Sequence, residues 1–84
     1  MGVTSRTAER VELRREEILD ASERIFAEKG YHATGIADIA TALGIGHGTF
    51  YRYFKNKHDI ALTVFDRVMM RFAEAGLSED PSES

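Results

Sequence analysis

Helical periodicity runs through nearly all of this chain, and glycines at Gly30, Gly44 and Gly76 punctuate it. Apolar residues recur at the three- and four-residue spacing of one helix face, and no stretch alternates as a half-buried strand would. That pattern restricts the chain to an all-α fold of packed helices. With 84 residues it has room for one small domain and a modest core. Cysteine is absent, which removes disulfides, thiolate metal sites and cysteine nucleophiles.

Four helices are expected. The first spans roughly Glu9 to Lys29, with Val11, Ile18, Ser22 and Ile25 on one stripe and Leu19 and Phe26 beside it. Its outer face mixes Arg14, Arg15, Glu16, Glu17, Glu23 and Arg24, the signature of a solvated surface with pairs along the helix. Gly30 supplies the left-handed stop. In the second helix Ile36, Ile39, Ala40 and Leu43 share a face, Thr34 is the expected N-cap, and Gly44 ends the run. The third helix covers about His47 to Phe54, with Gly46 near its cap. Asn56 opens the fourth by a capping-box spacing to Asp59. That helix carries Ile60, Ala61, Val64, Phe65, Val68, Met69 and Phe72, more apolar surface than the head needs, and is expected to pack on protein beyond residue 84.

The corresponding organisation is a flexible arm over 1–8, a helical head over 9–56 with its helix-turn-helix at about 34–54, a linking helix over 57–75 and a disordered tail over 76–84. Arg6 and Arg10 are read as part of the disordered arm, in preference to minor-groove contacts. No apolar run approaches the roughly 18 residues of a membrane helix, and no signal-peptide core stands at the N-terminus, so the default place is the cytoplasm and no membrane partner is expected.

Net charge is −3, which taken alone argues against a polyanion partner. The distribution reverses that argument. Residues 44–58 hold three basic side chains and none acidic, whereas residues 59–84 hold two basic and six acidic. Local potential, not net charge, decides where an anion docks.

This basic stretch begins at the turn between two short helices, the arrangement of a helix-turn-helix whose second helix enters the major groove. At about 100° per residue, Phe50 and Phe54 define the buried side of that helix. Gly48, Thr49 and Arg52 lie opposite, with Lys55 close by, and Tyr51 and Tyr53 fall to either flank. The tyrosine hydroxyls, Lys55 and Lys57 suit phosphate, and Arg52 suits phosphate or a guanine edge. Gly48 permits close approach to bases, Thr49 offers a methyl and a hydroxyl, and His47 offers a ring nitrogen. Thr34, at the start of the second helix, suits phosphate as well.

Other chemistries fail on spacing. His32, His47 and His58 have no ligand-like spacing, so no metal is expected. Gly44, Gly46 and Gly48 lack the preceding strand and the further glycine of a dinucleotide loop, so no cofactor is expected either. Glu16 and Glu17 are adjacent on a helix and cannot face each other, and no catalytic set survives; the chain is read as no enzyme. The competing function is a helical protein-interaction module using the apolar fourth helix, which would ignore DNA.

Arg-Arg-Glu-Glu-Ile-Leu-Asp-Ala at 14–21, Ile-Phe-Ala-Glu-Lys-Gly-Tyr-His-Ala-Thr at 25–34, Asp-Ile-Ala at 38–40 and Gly-Thr-Phe-Tyr-Arg-Tyr-Phe-Lys-Asn-Lys at 48–57 closely resemble the DNA-binding domain of TetR-family transcriptional regulators. The resemblance implies a three-helix, homeodomain-like head joined by the fourth helix to a larger helical C-terminal domain. That second domain would bind a small effector and form a homodimer on palindromic double-stranded operator DNA, most relatives being repressors released by the effector. Carried over by position, the DNA contacts fall on Thr34, Ala37, His47, Gly48, Thr49, Tyr51, Arg52, Tyr53 and Lys57. Gly46 departs from the capping serine common in relatives, and Ala37 is too short to hydrogen-bond a base. Relatives run to twice this length or more, so these 84 residues by themselves are expected to be mainly monomeric.

Overall fold

The computed structural model describes residues 2–78, with side chains for residues 7–76. Among these residues there are four α-helices and no strand: α1 (Gly2–Lys29), α2 (Ile36–Leu43), α3 (His47–Tyr53) and α4 (Lys57–Ser78). Ile18, Leu19 and Ile25 of α1 meet Ile39 of α2, Phe50 of α3, Phe54 just after it, and Ile60 and Val64 of α4. Ile18, Leu19, Ile39, Phe50 and Ile60 are fully excluded from solvent. At about 1.5–3 kcal/mol for each large apolar side chain buried, this cluster is the main force holding the helices together.

Glycine sets the corner between α2 and α3. Gly44 adopts φ 68° and ψ 31°, the left-handed conformation that costs other residues strain. Its N–H donates to the Thr41 carbonyl at 3.1 Å, while the Ile45 N–H donates to the Ala40 carbonyl at 3.0 Å. Together these form a Schellman motif, satisfying the last carbonyls of α2. Ile45 packs against the core, as that motif favours. Gly30 closes α1 in the same left-handed region, at φ 89°.

Three boundaries differ from expectation. Residues 2–8, expected as a flexible arm, continue α1. No proline stands in that stretch, and extending a helix already nucleated by its packed part adds a hydrogen bond per residue. Val11 is accordingly 47% exposed and lies outside the core, two turns before Ile18, where α1 borders an open depression shared with Tyr53. Gly76 lies within α4 and does not stop it; an interior glycine costs about 1 kcal/mol and can be carried by a long helix. The rest of the expected tail, 79–84, lies outside the described residues.

The caps also differ in detail. Gly35, not Thr34, is the N-cap of α2, and the Asp38 carboxylate accepts the Gly35 N–H at 2.7 Å. Thr34 is fully buried, its hydroxyl donating to the Gly30 carbonyl at 2.7 Å. At α4 the Asn56 side chain accepts the Asp59 N–H at 2.8 Å, as the spacing predicts. The return bond comes to Asp59 from the Lys55 N–H, also at 2.8 Å, one residue earlier than a capping box would place it.

The outer face of α1 is not simply solvated. Arg67 of α4 reaches Asp20 at 2.6 Å, with Glu16 and Glu23 each at 3.9 Å. Arg71 forms a two-pronged pair with Glu23 at 2.6 and 2.9 Å. Only Arg14 and Glu17, at 3.6 Å, pair along the helix itself among the described residues. Beyond this clamp Phe65, Met69, Met70 and Phe72 are 41–66% exposed, so these apolar side chains of α4 are uncovered among the described residues.

Candidate nucleic-acid interface

A three-residue turn, 44–46, joins α2 to α3. The seven-residue α3 is anchored by one side. Phe50 is fully buried, its ring 5.9 Å from that of Phe54, and Phe54 ends the helix in extended backbone. Because these aromatic residues point inward, the helix turns His47, Gly48, Tyr51 and Arg52 to solvent, with Thr49 half-buried. A Cβ added at Gly48 would meet nothing within 4 Å, so the space before it is open and not filled by packing. Ala37, on α2, and Lys55, just after α3, are exposed too.

The two tyrosines are not equivalent flanks. Tyr51 is half exposed and stands edge-on to Phe50, with ring centroids 5.7 Å apart. Its hydroxyl end is presented outward on a braced ring. Tyr53 is more buried, and with Arg10, Val11 and Arg14 of α1 it lines an open depression of about 450 Å³. Arg10 and Arg14 therefore add cations beside α3, Arg14 pairing at 3.6 Å with Glu17 of the same depression. Arg10 is expected from sequence in a disordered arm and Arg14 on a solvated face; the helix that carries both brings them beside Tyr53.

Two expected contacts are otherwise occupied. The hydroxyl of Thr34 is buried and bonded to Gly30, so it cannot serve a phosphate as it stands. Lys57 turns inward: its ammonium donates to the Tyr31 carbonyl at 2.9 Å and to the Thr34 carbonyl at 2.8 Å, and sits 4.2 Å from the centre of the Tyr31 ring. Thr34 is an expected contact by its position at the start of α2 and Lys57 by its charge in the basic stretch, and neither signal reveals the carbonyls that occupy them.

The acidic residues bordering this face are held by local donors. Asp59 is engaged by the Lys55 N–H. The Asp38 carboxyl is held below the usual aspartate range, first by the Gly35 N–H and then by Lys29, which lies 3.1 Å away. By contrast, Arg52 and Lys55 have no ion-pair partner among the described residues, and no acidic side chain occurs from 44 to 58. The result is a short helix that exposes unpaired cations, a small-residue front and an aromatic flank, the residue types that suit a groove and its phosphate walls. Among the described residues no group of three or more His, Asp or Glu could hold a metal ion, and no helix is long and apolar enough to cross a membrane.

Known proteins share this arrangement. Residues 18–64 match the family described as bacterial regulatory proteins, tetR family. Those limits run from the first to the last residue of the core cluster, Ile18 to Val64. The fatty acid metabolism regulator protein of Bacillus subtilis (strain 168) is 42% identical over 67 residues, covering 80% of this chain and 34% of that protein. The HTH-type transcriptional regulator TtgR of Pseudomonas putida is 35% identical over 78 residues, covering 89% of this chain and 37% of the relative. The solved structure of the fatty acid degradation regulator FadR from Bacillus halodurans superposes with a TM-score of 0.68 at 38% identity, covering 79% of this chain and 35% of that one. The chain thus spans about a third of the length of these relatives. It belongs to the tetR family of bacterial regulatory proteins, and its helix-turn-helix is a DNA-binding head of that family.

Proposed function

We propose that α3 reads a half-site of a palindromic operator as part of a homodimeric repressor, released when a small effector binds a C-terminal domain. The observation carrying this reading is the acid-free face of α3, with Gly48 and Arg52 outward and Phe50 and Phe54 locked behind them. Gly48, Thr49 and Arg52 meet base edges, with His47 at the rim. Tyr51, Tyr53 and Lys55 take phosphates, joined by Arg10 and Arg14 of α1. Ala37 contributes only apolar contact from α2.

The likeness to regulators named for fatty acid metabolism and degradation lies in this head. It supports a related operator more than a shared effector, because residues of an effector pocket fall outside the matched span. In this reading a dimer seated on two half-sites represses by blocking other proteins from the same grooves. These 84 residues bind single half-sites, weakly and with steep salt dependence.

Selection of bound duplexes from random DNA tests the reading. The chain is expected to return one short motif, and Thr49→Ala is expected to change the base preferred within it. An identical motif from that variant would move base readout off Thr49. Recovery of no motif, with binding insensitive to salt, would sink the assignment of α3.

A further inference from the structure

We infer that Lys57 is a positioning residue: it locks the start of α4 to the α1–α2 turn, and supports DNA binding through that turn and not by touching a phosphate.

The ammonium has three donors. Two go to the carbonyls of Tyr31 and Thr34, at 2.9 and 2.8 Å, and the charge rests over the Tyr31 ring at 4.2 Å, within the range of a cation–π contact. Only the third donor is left for the ring, solvent or another group, so swinging the ammonium out to a phosphate wall would break both carbonyl bonds. The platform under the charge is itself braced, since the Tyr31 ring lies 5.7 Å from Phe26 and 5.2 Å from His32.

The turn it holds is the one that leads into the helix-turn-helix. The Tyr31 carbonyl also accepts the Thr34 N–H at 3.2 Å, and the buried Thr34 hydroxyl bonds Gly30. The next residue, Gly35, is the N-cap of α2. Lys57 is the first residue of α4, 23 to 26 positions further along the chain. One cation thus gathers two carbonyls of a short turn and ties α2 to α4, while α3 is suspended between them. Without it, the angle at which α2 presents α3 to the groove is less restrained.

The test compares Lys57→Met, Tyr31→Leu and the double variant, with Lys55→Ala as a phosphate-contact control. Fluorescence anisotropy is read over about 50–200 mM salt, on a duplex recovered from random DNA by the unaltered chain. Lys55→Ala is expected to flatten the slope of log affinity against log salt by about 0.9. Lys57→Met and Tyr31→Leu are each expected to lower affinity about tenfold at unchanged slope, and the double variant no further, because both break one latch. A slope flattened by about 0.9 in Lys57→Met, multiplying losses in the double variant, or unchanged affinity would each overturn the inference.

Should Lys57→Met fail to fold, Tyr31→Leu alone decides, by the same loss at constant slope or its absence. The inference rests on DNA reading by α3, and a second readout separates the two. Amide exchange at Thr34 is expected to speed up about tenfold in Lys57→Met while Phe50 and Phe54 stay protected. Unchanged exchange at Thr34 defeats the latch, whereas a control slope unaltered by Lys55→Ala faults the DNA face instead.

Discussion

The arginines at the two ends of this molecule do opposite things with the same chemistry. Arg67 and Arg71, on α4, are consumed by Glu16, Asp20 and Glu23 on α1. Arg52, on α3, stands exposed with no ion-pair partner among the described residues. The difference lies in what each helix can reach. α4 runs alongside α1 for several turns, so its cations find carboxylates on the neighbour. α3 is a short strut whose apolar side is spent on Phe50, and its outer side meets no other helix. Paired cations hold the head together; unpaired ones wait for an external anion.

The largest expected effect tests the anchor that makes α3 protrude. Phe50→Ala removes a fully buried ring and should cost about 3–5 kcal/mol, enough to unfold a domain this small at ordinary temperature. Denaturant titration checks it; a loss under about 1 kcal/mol would mean that α3 does not depend on this core. Next is the contrast of arginines. Arg52→Ala should weaken duplex binding at least about tenfold with little change in melting temperature. Arg67→Ala should lower the melting temperature and leave the salt slope of binding alone. Swapped outcomes would dissolve the distinction between the two ends.

A smaller effect comes with acid. Hydrogen bonding from Arg71, aided by the charge of Arg67, holds the Glu23 carboxyl below the usual glutamate range. A depressed folded-state pKa stabilises fully above the unfolded value, and the gain is lost as pH falls through the folded one. Melting temperature should therefore stay level from about pH 7 to 5 and fall below about pH 4, less so in Glu23→Gln. Asp38, depressed by the Gly35 N–H and Lys29, adds a loss of the same sign at the start of α2. A decline already complete at about pH 5 would contradict both. The smallest is Gly46→Ser. Gly46 caps α3 without a side-chain bond, and a Cβ there meets nothing within 4 Å. A capping hydroxyl should add a few tenths of a kcal/mol, seen as slower amide exchange within α3.

Much of the head was legible in the chain itself. Ile39, Ala40 and Phe50 are buried where periodicity placed them, and Gly44 turns the corner in the conformation that glycine permits. The outward set of His47, Gly48, Tyr51 and Arg52 follows from simple rotation about the same axis. These are local matters, decided within one or two turns of helix. What was misread has both a local and a distant cause. Thr34 looked like a cap because it precedes an apolar run, yet its hydroxyl is taken by a carbonyl four residues back. Val11 kept the apolar stripe going past the end of the core, beside an open depression that leaves it exposed. Glu16 and Glu23 looked solvated because the arginines that pair with them are more than forty positions away.

The sequence by itself therefore determined an all-helical chain, the glycine corners and the basic recognition helix, since propensity, left-handed turns and helical rotation are properties of neighbouring residues. Tertiary structure alone decided which charges remain unpaired. Lys57 and Arg52 are both cations at the edge of one basic stretch. Only the packing of α4 against the α1–α2 turn commits the first inward, to two carbonyls and a ring, and leaves the second facing out.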